Sequence, residues 1–130
     1  LIQRSSSKTI SIADMPDSLA DLSRQLQKFA NDREWQQFHS PKNLASALIV
    51  EAGELLEHFQ WMTEEQSRAL PQEKLEAVAA EVSDVLLYLV QLTNALGIDP
   101  IAAAQAKLSL NELKYPVDRA RGSSKKYDEN

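Results

Sequence analysis

The sequence predicts an all-α protein built as a four-helix-bundle-type fold. Three observations carry this. Apolar residues recur at helical spacing in four segments. Helix-start and helix-stop residues punctuate those segments, and no window shows sustained β alternation.

The first element is expected from Ser18, where Leu19, Leu22, Leu26 and Phe29 mark one apolar face. Residues 1–17 show no clean period and contain a Ser run and Pro16, so they are expected to be an arm or an expression remnant ahead of a domain spanning 18–130. Ser40-Pro41 reads as an N-cap followed by proline at the first helical position, opening a second helix expected to run to about Trp61. Thr63-Glu64-Glu65-Gln66 fits a capping box for a short connecting helix that stops before Pro71. The third long helix is expected from near Pro71 to Leu96, with Gly97 closing it in the left-handed conformation. Asp99-Pro100 repeats the cap-and-proline signal for a fourth helix ending before Pro116, and a basic tail follows from about that residue.

Composition bounds the function. The 130 residues carry 14 Lys and Arg against 19 Asp and Glu, a net charge of −5, which argues against a dedicated binder of polymeric nucleic acid. There is no cysteine, so disulfides, thiolate metal sites and cysteine nucleophiles are excluded. The longest uncharged run, Val85 to Ile98, is 14 residues, short of the roughly 20 a membrane span needs. The start lacks the apolar stretch of a signal peptide, and a soluble cytoplasmic domain is expected.

On the third helix Leu75, Val78, Val82, Val85, Leu86, Leu89, Leu92 and Leu96 fill a broad arc, and Leu87 falls outside it. A helix apolar on so many sides needs cover from more than one neighbour, and a homo-oligomer is expected to supply it.

The acidic residues point to chemistry. Glu51 and Glu54 lie three apart on the second helix, and Glu81 and Asp84 three apart on the third; i and i+3 share a helix face. With Leu44 at 0°, Leu48 falls at about 40°, Leu55 at about 20°, Met62 at about 0° and Glu51 at about 340°, so Glu51 lies along the apolar stripe. Glu81 borders the apolar arc of the third helix, about 20° from Leu92. Carboxylates placed there need a counter-charge, yet the second helix has no basic residue after Lys42 and the third none after Lys74. A divalent cation is the economical partner, and an all-oxygen ligand set suits Mg²⁺ or Mn²⁺. A di-iron site would require Glu-x-x-His motifs, and Gln36 and Leu55 stand three before His39 and His58. The alternative for such acidic pairs is a solvated helix face.

Glu51-Ala-Gly-Glu54 followed after 26 residues by Glu81-Val-Ser-Asp84 resembles the ExxE…ExxD signature of the all-α nucleoside triphosphate pyrophosphohydrolases, the MazG-like group. The match is nearest its dCTP pyrophosphatase branch, through Glu34 to His39, Asn43-Leu44, Phe59-Gln60-Trp61, Ser83 to Leu89, Lys107, Asn111, Tyr115-Pro116 and Arg121 to Tyr127. It covers roughly residues 19 to 128.

The resemblance implies that Glu51, Glu54, Glu81 and Asp84 hold Mg²⁺ against a triphosphate during release of pyrophosphate and a nucleoside monophosphate, with Glu54 favoured as the general base. It implies that Trp35 and Trp61 border the base, Tyr88 floors the sugar, and Lys107, Asn111, Arg121, Lys125 and Lys126 meet phosphate oxygens. It further implies a homotetramer, a dimer of dimers, in which neighbouring subunits complete the site, and a house-cleaning role in the nucleotide pool. A related hydrolase acting on dUTP or a phosphoribosyl nucleotide, and a non-catalytic helical interaction module, are the alternatives. One departure stands out: dCTP-specific members carry a histidine nine residues before the tryptophan matching Trp35, and Leu26 occupies that position. An apolar residue there predicts looser base selection.

Overall fold

The computed structural model describes residues 18–126, so the expected arm at 1–17 lies outside the described residues. Within them the chain is all-helical: α1 (Leu19–Asp32), a 3-10 turn (Trp35–Phe38), α2 (Pro41–Glu57), α3 (Glu64–Arg68), α4 (Gln72–Leu96), α5 (Pro100–Lys114) and α6 (Val117–Ala120).

The start signals act as their chemistry dictates. Ser18 accepts from the amide of Asp21 at 3.1 Å and Ser40 from that of Asn43 at 3.2 Å, each satisfying an orphan donor of the first turn. Thr63 and Gln66 form the reciprocal capping box at 3.1 and 3.0 Å. Asp99 Oδ1 accepts from both Ile101 and Ala102 at 3.1 Å. Gly97, at φ 66°, turns the chain out of α4, and the Ile98 amide reaches back to the Thr93 carbonyl at 2.9 Å.

One boundary differs from expectation. α2 ends at Glu57, four residues before Trp61. The amides of Phe59 and Gln60 both point to the Leu56 carbonyl, and Met62 bonds Phe59, so the chain leaves the helix in successive turns. Met62 therefore does not extend the α2 stripe, although it falls on the same angle when the period is continued.

Packing centres on α2 against α4, with α1 lying across α4 and against the 3-10 turn. Ser23 of α1 donates to Asn94 Oδ1 of α4 at 2.8 Å, a tie across 71 residues of chain. The fully covered core is small: Leu44 and Val90 at 2% exposure, Ala30 at 5% and Thr93 at 8%. The hydroxyl of Thr93 donates to the Val90 carbonyl, which meets its need for a partner inside the helix.

The described residues do not close the expected four-helix bundle. α5 leaves α4 at a bend of 97° and makes no substantial packing against another described element. Leu108, Leu110 and Leu113 on α5 stay exposed, as do Leu75, Val82, Leu86, Leu89 and Leu96 on α4. Three packed helices cannot cover an apolar α4 on all sides. Among the described residues no single helix is long and apolar enough to cross a membrane.

Candidate metal centre and adjoining cavities

Packing α2 onto α4 brings the two acidic pairs face to face. Carboxylate oxygens of Glu51, Glu81 and Asp84 all lie within 4.8 Å of one another. Glu51 and Glu81 are half-buried and Asp84 is exposed, so the cluster opens to solvent on the Asp84 side. Glu54 adjoins it through Glu51.

The electrostatics follow from this crowding. The Glu51 carboxyl is pushed up from 4.5 to about 7, first by a hydrogen bond shared with Glu54, then by burial, by a hydrogen bond shared with Glu81, and by the like charges of Glu54 and Asp84. Two carboxylates can share a hydrogen bond only if one keeps its proton. Oε2 of Glu51 and Oε2 of Glu81 are buried and meet no donor among the described residues. Buried acceptors left unsatisfied are costly, and no lysine or arginine among the described residues pairs with these atoms. Several hard oxygens, two of them orphaned, fit a divalent cation of the Mg²⁺ or Mn²⁺ type.

His58, which reads in the sequence as a surface histidine, is instead half-buried. Its Nε2 stands 4.0 Å from Glu81 Oε1, with both side chains 21% exposed. The available signal was its spacing, four residues after Glu54 and seven after Glu51.

From the cluster, a cavity of about 150 Å³ runs between α1 and α4, lined by Leu26, Phe29, Trp35, His39, Asp84, Leu87, Tyr88 and Gln91. Trp35 stands edge-on to Phe29, ring centres 5.6 Å apart, and to His39 at 6.5 Å. The Arg33 guanidinium lies 3.6 Å above the other aromatic of that set, Phe29. Glu34, at φ 55°, makes the left-handed step that starts the 3-10 turn carrying Trp35. A second cavity of about 380 Å³ adjoins it and shares Leu26, His39 and Gln91.

Of the residues singled out by the sequence, Trp35 and Tyr88 line the cavity that Asp84 opens into. Trp61, 89% exposed past the end of α2, lines neither cavity. Lys107 and Asn111 sit on the projecting α5. Arg121 follows α6, and Lys125 joins Lys114, Arg119, Ser123 and Lys126 around a separate cavity of about 300 Å³. Lys107, Asn111, Arg121 and Lys125 line neither of the two cavities beside the carboxylates. The sequence missed Gln91, a polar residue in an apolar helix whose signal was its place seven residues after Asp84.

The MazG-like family model matches residues 47–129. The chain is 44% identical over 112 residues to dCTP pyrophosphatase 1 of Mus musculus, covering 85% of this chain and 66% of the relative. It is 43% identical over 115 residues to dCTP pyrophosphatase 1 of Homo sapiens, covering 86% and 67%. The chain thus spans about two thirds of the length of the curated relatives it matches. The crystal structure of a pyrophosphatase from Archaeoglobus fulgidus superimposes with a TM-score of 0.73 at 36% identity, over 82% of this chain and 99% of that one. With the acidic pairs facing each other across α2 and α4 and the family model spanning both, the chain belongs to the MazG-like family and resembles the dCTP pyrophosphatases within it.

Proposed function

We propose that this protein is a divalent-metal-dependent nucleoside triphosphate pyrophosphohydrolase that converts dCTP or a related pyrimidine dNTP to its monophosphate and pyrophosphate. The observation that carries the reading is the convergence of three carboxylates, two with orphaned buried oxygens, at the mouth of a cavity walled by Trp35 and Tyr88. The named activity of the curated relatives supports the substrate class.

Glu51, Glu54, Glu81 and Asp84 would hold Mg²⁺. When bound, the ion neutralises phosphate charge and lowers the proton affinity of water. The protein's own contribution is positioning and charge. Trp35 offers a stacking face for a base, indifferent to its identity, and Tyr88, one helical turn after Asp84, lines the same cavity. A water oxygen bonds to the α-phosphorus as the bond from that phosphorus to the bridging oxygen breaks. Glu54 takes the water's proton, and pyrophosphate departs with the electron pair. Phosphoryl-type transfer demands little more than such placement and electrostatic support.

The same reading includes a homotetramer, a dimer of dimers, supported by the apolar residues left bare on α4 and α5. Lys107, Asn111, Arg121 and Lys125 would then reach the phosphates of a neighbouring subunit's substrate. A house-cleaning role in the cytoplasmic nucleotide pool completes it.

Incubation with each dNTP and NTP plus Mg²⁺, with products identified by chromatography, tests the reading. A monophosphate and pyrophosphate are expected, with loss of turnover in EDTA and recovery on adding Mg²⁺ or Mn²⁺. Diphosphate and inorganic phosphate as first products refute the bond assignment, and turnover insensitive to chelation refutes the metal.

A further inference from the structure

Base selection is the open end of this site, because position 26 offers only an apolar side chain. The structure places a polar one beside it. Leu26 of α1 and Gln91 of α4 line both the cavity opening at Asp84 and the larger cavity next to it. Asp84, Tyr88 and Gln91 lie at i, i+4 and i+7, one stripe of α4. At 1.5 Å rise per residue, Gln91 stands about 10 Å along the axis from Asp84, which leaves room between them for a sugar and a base.

The other polar groups around the two cavities are less available. Asn94 has its Oδ1 engaged by Ser23. His39 is held edge-on against Trp35. Gln27, Asn31 and Gln36 line the larger of these two cavities and not the one that Asp84 lines. Gln91 is half-buried, and its amide makes no hydrogen bond to any described residue.

We propose that Gln91 reads the Watson–Crick edge of a pyrimidine and accepts cytosine and thymine alike; this rests on the pyrophosphohydrolase reading. An amide presents one acceptor and two donors side by side. Cytosine presents its N4 donor beside the N3 acceptor, and thymine its O4 acceptor beside the N3 donor. The two edges are mirror patterns, and a half-turn of the terminal amide exchanges its oxygen and nitrogen to match either. That torsion is soft and two-fold. A neighbour bonded to the amide would lock one orientation, and none among the described residues does. Sites that fix a donor or acceptor reject the wrong partner by large factors because a buried group is left unpaired, and a freely turning amide avoids that penalty.

The test compares dCTP, dTTP and base-free deoxyribose 5′-triphosphate on the native protein and on Gln91→Met, an unbranched replacement without the amide. In the native protein kcat/KM for dCTP and dTTP is expected within about tenfold of each other. In Gln91→Met the preference for either pyrimidine over the base-free substrate is expected to fall by about 10–100-fold. A native preference for dCTP over dTTP beyond about a thousand-fold, or an unaltered preference over the base-free substrate in a folded Gln91→Met, overturns the proposal. The side-chain amide signals of Gln91, followed by ¹⁵N NMR with the α,β-imido analogues of dCTP and dTTP, give a readout independent of turnover. Both analogues are expected to shift them; unshifted signals in a protein saturated with either analogue overturn the assignment. A protein that hydrolyses no triphosphate would remove the enzyme reading, and these shifts would still decide whether Gln91 meets the base.

Discussion

Magnesium is expected to bind about ten times more tightly at pH 8 than at pH 6, because it must displace a proton from Glu51. The Glu51 carboxyl sits at about 7, raised by its hydrogen bond with Glu54, burial, and the neighbouring Glu81 and Asp84. A metal needs the ionised form, which is about one eleventh of the population one unit below that value and about ten elevenths one unit above. The ratio of the two gives the tenfold change, with the curve flattening above pH 8. The sign for folding is opposite. The folded chain keeps a proton that an unfolded carboxyl at 4.5 releases, so metal-free stability is fully present below about 4.5 and declines as pH rises through about 7. Glu51→Gln removes the titrating group and supplies an amide donor to Glu54 or Glu81. The variant is therefore expected to bind Mg²⁺ weakly at every pH, to lose turnover, and to be more heat-stable than the native protein in EDTA at pH 8. Isothermal titration at pH 6, 7 and 8, in paired buffers of different ionisation enthalpy, measures both affinity and protons released. Equal affinities at pH 6 and pH 8, or a Glu51→Gln variant that keeps the native pH slope, would falsify the role given to this proton.

Other expectations follow from the packing. Leu44 is almost fully covered, so Leu44→Ala is expected to cost about 2–5 kcal/mol in urea unfolding; a loss below about 1 kcal/mol would remove it from the core. Gly97 holds φ 66° at the end of α4, so Gly97→Ala is expected to lower stability by about 1 kcal/mol, and an unchanged midpoint would show that the turn can re-form otherwise. Leu108→Asp with Leu113→Asp on the exposed α5 is expected to shift sedimentation toward smaller species and to cost activity; a native protein already active as a single chain would refute the cover proposed for that helix.

Helix starts were legible in the sequence because a cap is satisfied within one turn of itself. Ser40-Pro41, Thr63 to Gln66, Asp99-Pro100 and Gly97 each needed only their own neighbours to act. The acidic pairs were legible for the same reason, since i and i+3 share a face whatever the tertiary fold. The end of α2 was not. Its apolar period continues through Met62 with no glycine or proline to stop it, yet the chain turns after Glu57. The sequence also showed that α4 is apolar on too many sides and that α5 is a helix, without showing that α5 leaves at 97° and does not close a bundle around α4. Nor could it show that Gln91 and Leu26 line the same two cavities. Each of these depends on which surfaces meet across long stretches of chain. Local hydrogen bonds decide where a helix begins, whereas the choice among apolar faces is made by close packing between distant segments, and only the assembled structure records it.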